Sequence, residues 1–329
     1  MLVSPCFLRK SANMVTDQLS RAFELVEIRG VIAGGFAASG RWVARSPCVD
    51  PLKLIAMVSG HGRLITDGME AAIELAPGDV AILNNRSWIE HVSTDVGSGP
   101  RQQLGPEENF TGLGTADRGV HDVVIGTAVD INPAGRELLQ RALPPVAHVR
   151  AAAATATNLR GLLDQLFNEV TQSRTGSEFA IRQYGQLLLL EVLRAYLDQA
   201  EVPPGWLRVL TDERLRPATT LMHAEPGRSW GLEELADVAA MSRSSFARHF
   251  RAVAGMPPLT YLSRYRMLLA QRALRDDDTR VAELAARLGY ASEAAFSTAF
   301  KREVGRSPLR YRQAARDQPA AIGTDIASE

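Results

Sequence analysis

Seven residues recur at a single spacing in the C-terminal third of this 329-residue chain, and that repeat restricts the fold more than any other feature. Ser242, Phe246, Phe250, Gly255, Pro258, Leu259 and Tyr261 return fifty residues later as Ser292, Phe296, Phe300, Gly305, Pro308, Leu309 and Tyr311. Just upstream, Glu234-Leu235-Ala236 returns as Glu283-Leu284-Ala285 at an offset of 49, so the second copy holds one extra residue in its turn. Each copy has the same logic. An amphipathic helix (232–240, then 281–288) runs into a short turn. A serine follows in N-cap position, where its hydroxyl can accept an unpaired backbone N–H. The next helix sends its phenylalanine pair, spaced i,i+4, into a core and leaves the opposite face outward. Two short helices across such a turn form a helix-turn-helix, whose second helix enters the major groove. The stretch 259–275 predicts a connecting helix about 25 Å long at 1.5 Å per residue. That would hold the two reading helices about one DNA turn apart. Asp276–Asp278 and Thr279 are expected to close the connector and cap the next helix.

Charge supports this placement, although the total hides it. The chain carries 37 basic and 37 acidic residues, and a net charge of zero argues at first against a nucleic-acid partner. By segment, residues 1–204 carry 18 basic and 22 acidic side chains, 205–316 carry 19 and 12, and 317–329 carry 0 and 3. The repeat therefore sits in a block of net charge +7, and of its basic residues only Lys301 is not arginine. Arginine's planar fork suits phosphate and guanine edges.

The rest of the chain has a different texture. At roughly 150 residues per domain, its length predicts two domains. Residues 17–28 have helical spacing. From 30 to 130, short apolar runs (52–58, 63–66, 71–75, 79–83, 121–129) separated by turn residues predict an all-β sandwich or barrel. Residues 97–119 read as a long loop, 151–157 as an Ala/Thr-rich connector and 201–205 as a stiff linker. Two helices are expected at 159–170 and 178–199. The second is apolar on more than one face, so it packs either on its own barrel or against a partner subunit. Two cysteines, Cys6 and Cys48, exclude a disulfide framework and a cysteine-based zinc finger, and fit a reducing compartment. No apolar run approaches the roughly 18 residues that span a bilayer. Residues 1–13 read as a loose extension rather than a leader, with Met14 an alternative start.

The repeat block resembles the C-terminal DNA-binding domain of AraC/XylS-type transcription regulators. Trp230-Gly231-Leu232-Glu233-Glu234-Leu235-Ala236, Met241 through Phe250, Val281 through Tyr290, Ser292 through Phe296 and Gly305 through Arg312 carry the match. Two positions depart from the family pattern. Ala240 stands where glycine usually ends the first helix, at a cost of about 1 kcal/mol if left-handed. Gly231 stands where Ser or Thr usually caps it, at a cost of a few tenths. Pro77-Gly78-Asp79-Val80 and His91 resemble a cupin barrel of the kind found N-terminally in some of these regulators.

The resemblance implies an α+β chain. An extension (1–14) precedes a cupin-like β-barrel sensor (15–145) and a helical dimerisation or linker segment (146–204). An all-α DNA-binding domain (205–316) with two helix-turn-helix motifs and an acidic tail (317–329) follow. It implies a cytoplasmic, sequence-specific regulator of transcription, an activator that meets double-stranded promoter DNA and RNA polymerase. A small-molecule effector and a homodimer are further expected partners; a membrane is not. In the first reading helix Arg243, Ser244, Ser245, Ala247, Arg248 and Arg251 face outward, with Arg243 and Arg248 the strongest candidates for guanine or phosphate. In the second the outward set is Glu293, Ala294, Ser297, Thr298 and Lys301, poorer in donors. The first helix is therefore expected to carry more of the base specificity. Arg310, Arg312, Ser242 and Ser292 are candidates for phosphate, the serines equally for capping, and His249 reads mainly as packing.

Trp42, Met57, His61, Trp88 and His91 are the candidate ligand-pocket residues, each equally explicable as barrel packing. Metal-binding cupins use a His-x-His pair, and this chain has none. No metal or cofactor is expected, which leaves a cupin oxygenase or isomerase with an accessory DNA-binding domain as the alternative function. A cysteine-based alkyl-transfer centre finds no suitable cysteines. A constitutive architectural DNA binder would lack a ligand response.

Overall fold

The computed structural model describes residues 28–95, 100–105, 113–151, 157–172, 174–199 and 202–317. The extension and Met14, most of the helix expected at 17–28, much of the 97–119 loop, most of the 151–157 connector and nearly all of the acidic tail lie outside the described residues.

Among the described residues, ten strands form two five-stranded sheets. The first holds β1 (Ile28–Ala38), β9 (Asp122–Ile131), β3 (Leu52–Ser59), β6 (Val80–Asn84) and β10 (Val146–Val149), in that spatial order. The second holds β5 (Ile73–Leu75), β4 (Gly62–Thr66), β7 (Trp88–Ser93), β2 (Trp42–Pro47) and β8 (Gln102–Leu104). All pairs are antiparallel except β2 with β8. Ile28 thus opens a strand instead of closing a helix, pairing with Ile131. The strand β10, which pairs with β6, lies inside the stretch expected to be helical from 146.

Side chains alternate along a strand, so each run sorts its residues between two cores. Phe36, Trp42, Ile55, Met57, Leu83 and Val124 pack between the sheets. Leu52, Leu54, Val80 and Ile82 point the other way, toward helices. That double burial is why β6 reads as an unbroken apolar run rather than an alternating one. The covering helices are α1 (Pro133–Ala142), α2 (Thr157–Gln172) and α3 (Ser177–Gln199). Leu188, Leu189, Val192, Leu193 and Tyr196 of α3 pack on the domain's own sheet, while Phe179 and Leu187 stay exposed.

The Pro77-Gly78-Asp79 turn pins the sheet to the segment entering α2. Asp79 accepts from the backbone N–H groups of Ala76 (3.1 Å) and Ala151 (2.8 Å), and its Oδ2 lies 2.9 Å from His148 Nε2. Burial opposes ionisation, but the His148 and backbone contacts outweigh it and hold this carboxyl below its ordinary value.

The described residues of the C-terminal part form helices and no strand: α4 (Trp206–Thr211), α5 (Arg216–Ala224), α6 (Leu232–Val238), α7 (Arg243–Ala254), α8 (Pro258–Asp276), α9 (Val281–Arg287), α10 (Glu293–Val304) and α11 (Pro308–Asp317). Each repeat has its own core, one around Phe246 and Phe250, the other around Phe296 and Phe300. Tyr261 and Tyr311 meet the second phenylalanine of each pair edge-on. Gly255 and Gly305 end the reading helices in the left-handed conformation. The residue ahead of α9 is Arg280, with no side-chain cap, so Thr279 does not cap it as expected. Its carbonyl instead accepts from Arg312.

Ala240 has φ 52, the strained left-handed geometry that glycine tolerates. Ala240→Gly should therefore stabilise the domain by on the order of 1 kcal/mol. A melting temperature unchanged or lowered would contradict the strain assignment.

Candidate nucleic-acid interface and ligand cavity

The two reading helices α7 and α10 begin alike. Ser242 Oγ accepts from Ser245 N at 3.3 Å and Ser292 Oγ from Ala295 N at 3.1 Å, so both serines act as N-caps. With the phenylalanines buried, Arg243, Ser244, Arg248 and Arg251 are exposed on α7, and Ser245 and Ala247 half-exposed. None of the three arginines forms an ion pair with a described residue.

That separates them from the structural arginines of the same domain. Arg264 pairs with Glu303, and Arg228 pairs with Glu225 and Glu234. Arg266 donates to the carbonyls of Pro226 and Arg228. Arg312 is half-buried and held by Thr279, whereas Arg310 is exposed and unpaired among the described residues. Glu293, Ala294, Thr298 and Lys301 are exposed on α10 and Ser297 is half-buried. Thr298 spends its hydroxyl proton on the Ala294 carbonyl (2.9 Å). His249 lies against Asp212 (Nε2 to Oδ2, 3.0 Å), a packing position.

A cavity of about 290 Å³ opens between the two sheets. Of the five residues expected to line a pocket, His91 alone lines this one. Trp42 and Met57 are sealed in the inter-sheet core, the Trp42 indole donating to Asp122 at 2.8 Å. The Trp88 ring lies under the Arg45 guanidinium, 4.4 Å away. His61 is exposed and borders a different depression beside Asp79 and His148.

Phe36, Lys53, Ile55, Ile89 and Val124 complete the inter-sheet wall. Lys53 could have been found from its register: it shares the face of Ile55 and Met57, so a lone ammonium points toward the inner side of the apolar strand β3. Burial, and then Lys53, push the His91 imidazole down to about 3, which keeps it neutral at pH 7. Among the described residues no three His, Cys, Asp or Glu side chains come together as a metal site, and no helix is long and apolar enough to cross a membrane.

A two-sheet domain with an internal cavity, joined to a pair of helix-turn-helices with unpaired arginines outward, defines a DNA-binding regulator. Residues 17–198 match the family model described as Cupin, and residues 235–314 match the Helix-turn-helix domain model. A putative AraC-like transcription regulator of Streptomyces lividans is 34% identical over 304 residues, covering 90% of this chain and 98% of its own. The HTH-type transcriptional regulator AlkR of Acinetobacter baylyi is 28% identical over 308 residues, covering 90% and 99%. The solved DNA-binding domain of AdpA, in complex with a target DNA, is 37% identical, with 32% of this chain and 95% of that chain covered and a TM-score of 0.31.

This chain belongs to the AraC-like transcription regulators. Relatives matched along nearly their whole length are named as regulators of transcription, which decides against the metalloenzyme alternative.

Proposed function

We propose that this regulator reads its operator mainly through Arg243, Ser244, Arg248 and Arg251 of α7. On this reading α10 positions the domain through Lys301, and Arg310 meets a phosphate. The observation that carries the reading is the contrast among arginines: those on the outer face of α7 are unpaired, while those that brace the domain are bound to carbonyls or carboxylates. A small molecule in the inter-sheet cavity controls DNA binding, held by apolar walls with His91 and Lys53 as its polar contacts. It shifts the regulator only by its differential affinity for two arrangements of the domains. The exposed Phe179 and Leu187 on α3 favour a homodimer, and action at promoters favours contact with RNA polymerase in the cytoplasm.

The test begins with genome-wide mapping of bound sites to define an operator. Purified Arg248→Ala and Thr298→Ala are then titrated with single-base operator variants. Arg248→Ala should lose roughly tenfold or more of its discrimination at one position, as expected for a lost bidentate contact. Thr298→Ala should keep its discrimination. Equal losses in both would refute the asymmetry. For the sensor role, a ligand that saturates the inter-sheet cavity without altering operator affinity or promoter output would end it.

A further inference from the structure

A second cavity, also about 290 Å³, lies where the two domains meet. One wall is α1 of the β-domain, with Leu138 at its centre. The other is built from the linker and helices of the DNA-binding domain, including Trp206, Met256, Tyr265 and Leu268. Trp206 bridges the walls, its indole N–H donating to the Leu138 carbonyl at 2.8 Å.

The charged groups around this space are paired with one another. Glu137 pairs with Arg141 at 2.6 Å, and Arg264 with Glu303 at 3.2 Å. His223 Nε2 is 2.9 Å from the Tyr261 hydroxyl, and its ring stacks on Tyr265 at 4.2 Å. Gln271 of α8 lines the cavity, is 6% exposed, and its amide has no hydrogen-bond partner among the described residues. Its amide borders the cavity, so a molecule that enters can exchange hydrogen bonds with it directly.

We propose that this interdomain cavity is a second effector site, distinct from the inter-sheet cavity, for a neutral, largely aromatic molecule with one amide-type hydrogen-bonding group that meets Gln271. Neutrality follows from the rim, where the carboxylates and guanidiniums named above already compensate one another and leave no counterion for a charged ligand. Two-ring size follows from the volume, at the lower end of small-molecule sites. The position gives the site its consequence. The Arg264–Glu303 pair on the rim ties α8 to α10, the second reading helix, and Leu138 belongs to a helix packed on the β-domain. A bound molecule touches both, so an arrangement that tightens the cavity is favoured over one that opens it.

The test is calorimetric titration of the full chain with benzanilide, a neutral two-ring amide. One saturable site is expected. Gln271→Leu, close in shape, should bind at least about tenfold more weakly. Leu268→Trp should fill the space and abolish binding, while Ile55→Trp, which fills the inter-sheet cavity, should leave binding unchanged. Absence of saturable binding to the wild type, wild-type affinity in a folded Gln271→Leu, or loss of binding in Ile55→Trp alone would each overturn the proposal. The reading of the inter-sheet cavity is untouched by these results, because a ligand lost from it would leave Gln271→Leu unaffected.

Discussion

Gly289→Ala should unfold or severely loosen the second helix-turn-helix, lowering stability by roughly 3 kcal/mol or more. Two costs combine. Gly289 has φ 77, which disfavours any side chain. A Cβ there would stand 2.0 Å from the Gly227 carbonyl oxygen and 2.8 Å from its carbon. That neighbour is backbone, so it cannot rotate away. Gly227 sits in the turn after α5 and meets the other repeat just as closely, since its own Cβ would lie 2.2 Å from the Arg287 oxygen. Arg266, reaching from α8 to the carbonyls of Pro226 and Arg228, holds the same turn. The two repeats are thus clamped backbone to backbone, and the clamp helps to set the separation of the reading helices. Gly227→Ala should reproduce the defect. Gly305→Ala is the control: φ is 81, but nothing lies within 4 Å of the added atom, so only the conformational cost of about 1–2 kcal/mol applies. Thermal unfolding of the three variants decides the matter, and a Gly289→Ala no worse than Gly305→Ala would remove the clamp from the account.

The clamp marks the limit of what the sequence could reveal. The repeat was legible because its determinants are local: a serine cap, a phenylalanine pair at i,i+4, a glycine at each reading helix's end. Comparing Ala240 with Gly289, which share one repeat position, shows what local reading misses. Both adopt positive φ. Ala240 is exposed and is only strained, whereas Gly289 is additionally pressed against another turn. That contact is tertiary and leaves no periodicity in the sequence.

The β-domain was legible in the strands β3, β4, β5, β6 and β9, whose apolar runs are bounded by turn residues. The strand β1 contains Gly34 and Gly35, and β10 is four residues long, so neither stands out by strand propensity. The pocket was the least legible part. Histidine and tryptophan attract notice by chemistry, but Trp42 is a core residue because its indole finds Asp122. Lys53 does not stand out in the sequence, because an isolated lysine ordinarily reads as surface.

His91 carries the second large effect, and the sign follows from its depressed value. In the unfolded chain its imidazole titrates near 6.5; in the folded domain it does so at about 3. Above 6.5 it is neutral in both states and costs nothing. As pH falls below 6.5 the unfolded chain takes up a proton that the folded chain refuses, so stability is lost by about 1.4 kcal/mol per pH unit. The loss continues until pH nears 3, for a total of about 4–5 kcal/mol. His91 faces Phe36 across the inter-sheet space, ring centroids 5.8 Å apart, with Lys53 and Asp50 as the charged groups of the same cavity. The Lys53 ammonium opposes a second positive charge beside it. His91→Leu removes the titrating group and keeps an apolar side chain in the wall. Urea unfolding followed by tryptophan fluorescence between pH 7 and pH 4 should therefore show a shallower acid slope in the variant, by close to one proton's worth. Parallel slopes would mean that the folded domain already admits the proton, through water in the cavity or through an approach of Asp50. The same neutrality bears on the sensor role. A ligand that brings an anionic oxygen beside His91 would raise the imidazole's proton affinity, and its binding would then strengthen as pH falls, whereas an uncharged ligand would bind with little pH dependence down to pH 5.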